Sequence, residues 1–175
     1  TFIYYNYRRF EPLRKKYDYL DALFRQGKYY SKRLLINYYG NRLLLHTRFQ
    51  ENDEAEHYGY LSVRVKTADY IHYVNNLCAV LLRRKKYAEA LAVMKTALPE
   101  SRTTHSFHNK IGFVALYLRC LYHTNQHRAA ENYADAYLRA WRKEIFEHRW
   151  HAFFNAWFET LLAQKNYLKI LKLSD

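Results

Sequence analysis

Nine histidines are the first residues in this chain whose type suggests chemistry. His105 and His108 are three apart, as are His148 and His151, while His123 and His127 are four apart. Two histidines four apart on one helical face can chelate zinc. His123 and His127, however, straddle a turn expected at Thr124-Asn125-Gln126. No H-E-x-x-H occurs, and no cysteine or carboxylate completes a ligand set. Asp18 and Asp21, and the acidic residues from Glu51 to Glu56, fall among polar residues or in a turn. Solvated charge and helix-end compensation are their expected roles, since acid–base work asks for carboxylates in apolar pockets. Cys78 and Cys120 each sit inside an apolar helical pattern, as reduced core thiols do. No G-x-S-x-G and no glycine-rich phosphate loop is present. The expectation is therefore a non-enzyme, with no catalytic residues, no metal and no cofactor.

Side chains suited to binding are more plentiful. On the helix faces turned away from the apolar stripes stand His72, Asn75, Asn76 and Arg83, then Arg119 and His123, then Asn155 and Glu159. Asparagine inside a helix costs propensity, so three of them on such faces suggest hydrogen bonds to an extended peptide; simple exposure is the equal alternative. Aromatic residues interleave with cations at Tyr4-Tyr5, Tyr7-Arg8-Arg9-Phe10, Lys28-Tyr29-Tyr30 and Lys32-Arg33. Bases stack on tyrosine while Lys and Arg hold phosphates. Amphipathic tyrosines packing a thin helical array are the favoured alternative.

The elements that must position these residues follow from composition and period. A chain of 175 residues can bury a core without staples. Only 4 Gly and 2 Pro leave too few turn residues for a sandwich or barrel. Hydrophobic residues at 50%, with 19 Tyr, are too many for disorder. The apolar runs are short, so no segment is expected to span a membrane, and no basic-then-apolar leader opens the chain. The net charge of +13 is uneven: residues 1–50 hold 11 basic and 3 acidic side chains, and residues 51–100 hold 7 of each. An acidic or polyanionic partner suits that excess.

Ile71, Val74, Leu77, Cys78, Leu81 and Leu82 step by three and four, one apolar helical face preceded by Thr67 as a cap. Arg83 to Lys86 interrupt it. Tyr87, Ala90, Leu91, Met94, Ala97 and Leu98 resume it, and Pro99 is expected to stop it. The pattern returns 40 residues later and again after another 40, as in Leu81, Leu121 and Leu161, or Tyr87, His127 and Tyr167. A fixed lag of this length marks a helical-hairpin array. Small Ala90 and Ala130 should let paired helices approach closely. Tyr19, Leu20, Leu23, Phe24 and Tyr29 repeat the offsets once more, with Gly27 in the turn and Pro12 opening the helix. Between the copies, 42–49 and 55–65 read as a further helix pair.

Residues 71–98 resemble a tetratricopeptide repeat, on Leu77, Leu81, Lys85-Lys86-Tyr87, Glu89-Ala90-Leu91 and Ala97-Leu98-Pro99. The lag of 40 differs from the ~34 usual in that family, and armadillo or HEAT-like pairs are the fallback. The resemblance implies a binding scaffold whose concave face is lined by the first helix of each pair. Asn76 matches one asparagine of the family's carboxylate clamp, but Gly112 and Leu116 stand at the matching places of the next copy, so the clamp does not carry over.

The expected architecture is an all-α, right-handed α-solenoid of about five antiparallel hairpins. They cover 10–39, 41–66, 68–99, 105–141 and 145–173 of a single domain. The expected role is a cytoplasmic protein- or peptide-binding scaffold using the face named above, with an acidic partner suited to its charge. Nucleic-acid binding through Lys28, Lys32 and Arg33 is the alternative. No membrane contact is expected. The C-terminal hairpin, where Ile170, Leu171 and Leu173 follow an aromatic helix, is expected to be covered, either by self-association or by further sequence.

Overall fold

The computed structural model describes residues 10–28, 31–147 and 150–174. The aromatic and basic residues at 4–9 and 29–30, and His148, lie outside the described residues. Among those described there is no strand. The helices are α1 (Phe10–Arg25), α2 (Lys32–Arg48), α3 (Asn52–Ser62), α4 (Tyr70–Arg83), α5 (Tyr87–Thr103), α6 (Phe107–His123), α7 (His127–Glu147), α8 (Trp150–Ala163) and α9 (Tyr167–Ser174). The chain divides into two compact units, Thr1–Tyr73 and Val74–Asp175, with the boundary inside α4.

Besides the 104–106 link, four links are three residues long, at 49–51, 84–86, 124–126 and 164–166. Each has its middle residue in the left-handed region: Gln50, Lys85, Asn125 and Lys165, with φ between 55° and 61°. In each, the next amide returns to the carbonyl five residues back: Glu51 to His46 at 2.9 Å, Lys86 to Leu81 at 2.9 Å, Gln126 to Leu121 at 2.8 Å and Asn166 to Leu161 at 2.9 Å. This is the Schellman closure of a helix C-terminus, which satisfies carbonyls the helix leaves free. Gly27 ends α1 the same way, with Lys28 N–H donating to Leu23 at 3.0 Å. The turns expected near 83–86, 124–126 and 164–166 stand where the change of residue type put them.

In the first unit α2 packs against α1 and α3. Leu13, Tyr17, Tyr38 and Leu45 form the buried centre, with Phe24, Tyr39, Phe49 and Tyr58 around it. The junction expected at 39–41 between two hairpins is absent: α2 runs through it from Lys32 to Arg48. Gly40 is the reason the helix can pass. It is buried, and a Cβ there would fall on the ring of Tyr73, whose hydroxyl donates to Asn37 Oδ1 at 3.0 Å. The glycine serves a close helix approach rather than a break.

In the second unit α6 packs against α5, α7 and α8, α7 also against α8, and α9 against α8. Leu77, Leu81, Met94, Phe113, Leu118, Phe153 and Trp157 are buried in its core. Ala90 and Ala130 are fully buried, and Cys78 Sγ reaches the Ala90 carbonyl at 3.8 Å, so α4 and α5 meet closely just past their turn. Lys169 of α9 bridges to α7, with Glu131 at 2.8 Å and Asp135 at 2.5 Å. Two local expectations differ. Pro99 does not stop α5, which continues to Thr103; Pro99 and Lys95, whose carbonyl it leaves unbonded, are both exposed to water. Thr67 meets the start of α4 through its carbonyl, which accepts from Tyr70 N–H at 3.0 Å.

Two substitutions read out these approaches. Ala90→Leu should overpack the α4/α5 crossing and cost ~1–3 kcal/mol. Gly40→Ala should lower the thermal midpoint although alanine favours a helix by about 1 kcal/mol over glycine. A midpoint equal to or above wild type in either variant contradicts the packing.

Candidate functional site

The polar residues expected to face a ligand are on α4, α6 and α8, but several are engaged with neighbouring helices. Asn75 Nδ2 donates to the Asn109 carbonyl at 2.9 Å and would touch a Cβ at Gly112 at 3.3 Å. It therefore ties α4 to the first turn of α6. Arg119 Nε lies 3.5 Å from Glu159 Oε2, joining α6 to α8, with both side chains about two-fifths exposed. His123 stacks on Tyr87, ring centres 4.1 Å apart and planes within 9°. Arg83 and Asn155 are exposed, and Asn76 is half-buried. His72, on the α4 turn before the unit boundary, packs edge-on to Tyr73. The structure thus joins Arg119 to Glu159, turns Asn75 to structural use, and leaves Arg83 and Asn155 open to solvent.

Lys28, Lys32 and Arg33 are all exposed around the α1–α2 link. Ser31 caps α2, its Oγ accepting from Leu34 N–H at 3.1 Å, yet the first turn holds no acidic residue. Two cations at a helix N-terminus oppose the helix dipole.

The carboxylates read as solvated are instead partly a buried network. From α1, Asp21 accepts from the hydroxyls of Tyr38 and Tyr58 and pairs with Arg42 at 3.1 Å. Asp18 pairs with the same guanidinium at 3.3 Å but stays exposed. Arg42 is buried and lies 4.9 Å over the Tyr58 ring. One turn along, His46 Nδ1 meets Glu51 Oε2 at 2.6 Å, and Arg14 holds the other oxygen. A carboxylate only accepts, so Nδ1 carries the proton. His46 stacks flat on Tyr58, centres 5.3 Å apart. Burial pushes the His46 imidazole below its ordinary value, against the pull of Glu51. Burial would raise Glu51, but the hydrogen bonds from Arg14 and His46 outweigh it and hold the carboxyl low. Burial, then the bond to Asp21, drives the Tyr38 phenol far up. These acids are already surrounded by donors, an arrangement that binds three helices together. The sequence signal was there: Arg14, Asp18 and Asp21 share one face of α1, while Tyr38, Arg42 and His46 share one face of α2.

Cys78 and Cys120 are free and buried, and burial lifts both thiols, Cys120 to about 12. Among the described residues, no three His, Cys, Asp or Glu stand close enough to hold a metal ion, and no helix is long and apolar enough to cross a membrane. No protein-family model, curated protein or solved structure matches this chain. The tetratricopeptide-like reading therefore rests on the residues alone.

A pH dependence follows from the network. His46 is held below its unfolded value of about 6.5, so falling pH protonates the unfolded chain first and stability is lost below that value. Glu51, held low, adds a second loss further into acid. Between pH 7.5 and 5, unfolding free energy measured in urea should fall by up to about 1.4 kcal/mol per pH unit. His46→Gln should flatten that slope, and parallel slopes for variant and wild type would contradict the assignment.

Proposed function

We propose that the chain is a non-catalytic, cytoplasmic scaffold that binds a protein or peptide along a face made by α4, α6 and α8. In this reading residues 74–175 are a stretch of right-handed, tetratricopeptide-like solenoid with a period of 40 residues. One observation carries it: α6 packs at once on α5, α7 and α8. Consecutive hairpins then lie side by side, and their first helices share a surface. Left-handed residues at Lys85, Asn125 and Lys165 support the period, and the half-exposed Arg119–Glu159 pair lies across that surface. Exposed Arg83 and Asn155 extend it. Such a surface offers side-chain donors to the backbone of an extended chain, a role that fold resemblance alone does not assign.

A second reading draws on the first unit. Lys32 and Arg33 stand where the α2 dipole repels them, which a polyanion would relieve. Nucleic acid at Lys28, Lys32 and Arg33 is that alternative.

Affinity capture with and without nuclease separates the two. Arg83→Ala with Asn155→Ala should weaken a recovered protein partner about tenfold, the loss of one or two net hydrogen bonds, and leave oligonucleotide binding unchanged. Neutralising Lys28, Lys32 and Arg33 should do the reverse, with affinity falling steeply in salt. Full binding of every protein partner by the double variant would end the first reading.

A further inference from the structure

At the ends of α5 and α6 that meet around residues 104–106, the second unit holds a cavity of about 300 Å³. One wall is α7. Tyr133, Tyr137 and Trp141 recur there every fourth residue, with 6.4 Å between successive ring centres. Ala136 and Ala140 lie beside that column, and their small side chains leave the space open. The facing wall carries Arg102, from the last turn of α5, and Lys110, from the first turns of α6. Helix α7 departs from helical geometry at Trp141, with φ −133° and ψ 29°. There the indole receives the Lys110 ammonium 4.2 Å from its centre and Phe107 at 6.0 Å.

The lining has a definite character. Both charged residues are cations, and among the described residues no carboxylate lines the cavity. Burial, with Tyr117 beside it, pushes the Tyr133 phenol up to about 12, so it keeps its proton as a hydrogen-bond donor. The volume is at the lower end for ligand pockets, which suits one or two side chains. The rings are turned toward one another along α7, and Lys110 covers the face of Trp141. Stacking on a nucleic-acid base needs free ring faces, whereas an apolar side chain packs against ring edges and alanine.

We propose that this cavity anchors a peptide through an acidic residue next to an apolar or aromatic one. The carboxylate meets Arg102 and Lys110, and the apolar side chain lies against Tyr137, Ala136 and Ala140. This deepens the peptide-binding reading and rests on it, but places a specific anchor away from the face of α4, α6 and α8.

Anisotropy titrations of the whole chain test it with two pentapeptides, amidated and carrying fluorescein on the N-terminus: Ala-Asp-Phe-Glu-Ala and its amide counterpart Ala-Asn-Phe-Gln-Ala. The acidic peptide should bind, and the amide peptide about tenfold more weakly. Lys110→Met keeps an alkyl stem over Trp141 and removes the charge. Combined with Arg102→Gln, it should cut affinity for the acidic peptide at least about tenfold with an unchanged unfolding midpoint. Trp141→Phe should weaken it as well; Lys110→Met decides the matter if Trp141→Phe does not fold. The proposal falls if the acidic peptide does not bind, if the Lys110→Met/Arg102→Gln chain binds it as wild type does, or if ten-nucleotide oligothymidylate displaces it and loses affinity in the same variants. Loss of affinity for a captured protein partner in Arg83→Ala/Asn155→Ala, with no effect of the cavity variants on any ligand, keeps the shared-face reading and ends this one.

Discussion

A helix pair joined by three residues has little freedom, and in four of the five such links one left-handed residue removes most of what is left. Gln50, Lys85, Asn125 and Lys165 adopt φ near 60°, a conformation that costs a side chain about 1–2 kcal/mol. The return bonds, such as Lys86 to Leu81 at 2.9 Å, offset that cost by satisfying carbonyls at the helix end. With the chain reversed so tightly, the following helix must run antiparallel and lay its apolar stripe on the preceding one. The alanines past the turns, Ala90 and Ala130, are then the residues on which the two axes close. The pairing of α6 with α7 descends from that geometry, and α6 also meets α5 and α8 of the neighbouring hairpins.

The first unit adds a constraint of another kind. Arg42 is a buried cation, and its partners come from two other helices: Asp18 and Asp21 on α1, Tyr58 on α3. A buried ion pair contributes little net stability, because desolvation offsets the attraction, but breaking it leaves an uncompensated charge at a cost of about 3–5 kcal/mol. Its effect is therefore on which arrangement forms. Any rotation of α1 or α3 about its axis would strand Arg42 or Asp21, and with them the hydroxyls of Tyr38 and Tyr58. The Arg14–Glu51–His46 contacts continue that seam to the α2–α3 turn.

Helices and turns were legible where the signal is local. Period 3.6 marks an apolar stripe, and a run such as Arg83 to Lys86 interrupts it whatever surrounds it. Features set by distant residues were not. Gly40 reads as a joint between hairpins until Tyr73, thirty-three residues on, is seen to occupy the place of its missing Cβ. Pro99 reads as a stop unless the carbonyl it abandons is known to face water. Asp21 reads as solvated because Tyr38, Arg42 and Tyr58 meet it only after three helices fold together. For the candidate site, the helices and the exposed Arg83 and Asn155 were readable. The engagement of Asn75 by the Asn109 carbonyl was not, since it depends on how one first helix meets the next. The Arg102–Lys110–Trp141 cavity lay hidden for the same reason, assembled from three helices at their far ends.

These distinctions bear on how a surface of this kind can recognise anything. A polar group already bonded inside the protein helps a ligand only if exchanging partners is cheap. The Asn75 bond to a backbone carbonyl is half-buried and joins two helices, so a ligand that took the Asn75 amide would have to break that tie. Arg119 is different. It and Glu159 are both about two-fifths exposed, and exposed ion pairs of that sort are held by less than about 1 kcal/mol. On the proposed reading, a ligand carboxylate that replaced Glu159 at Arg119 would lose little, because water would take up the displaced acid. In the proposed peptide-binding reading, Arg119 is then a group that an acidic ligand would engage at little cost, beside the exposed Asn155.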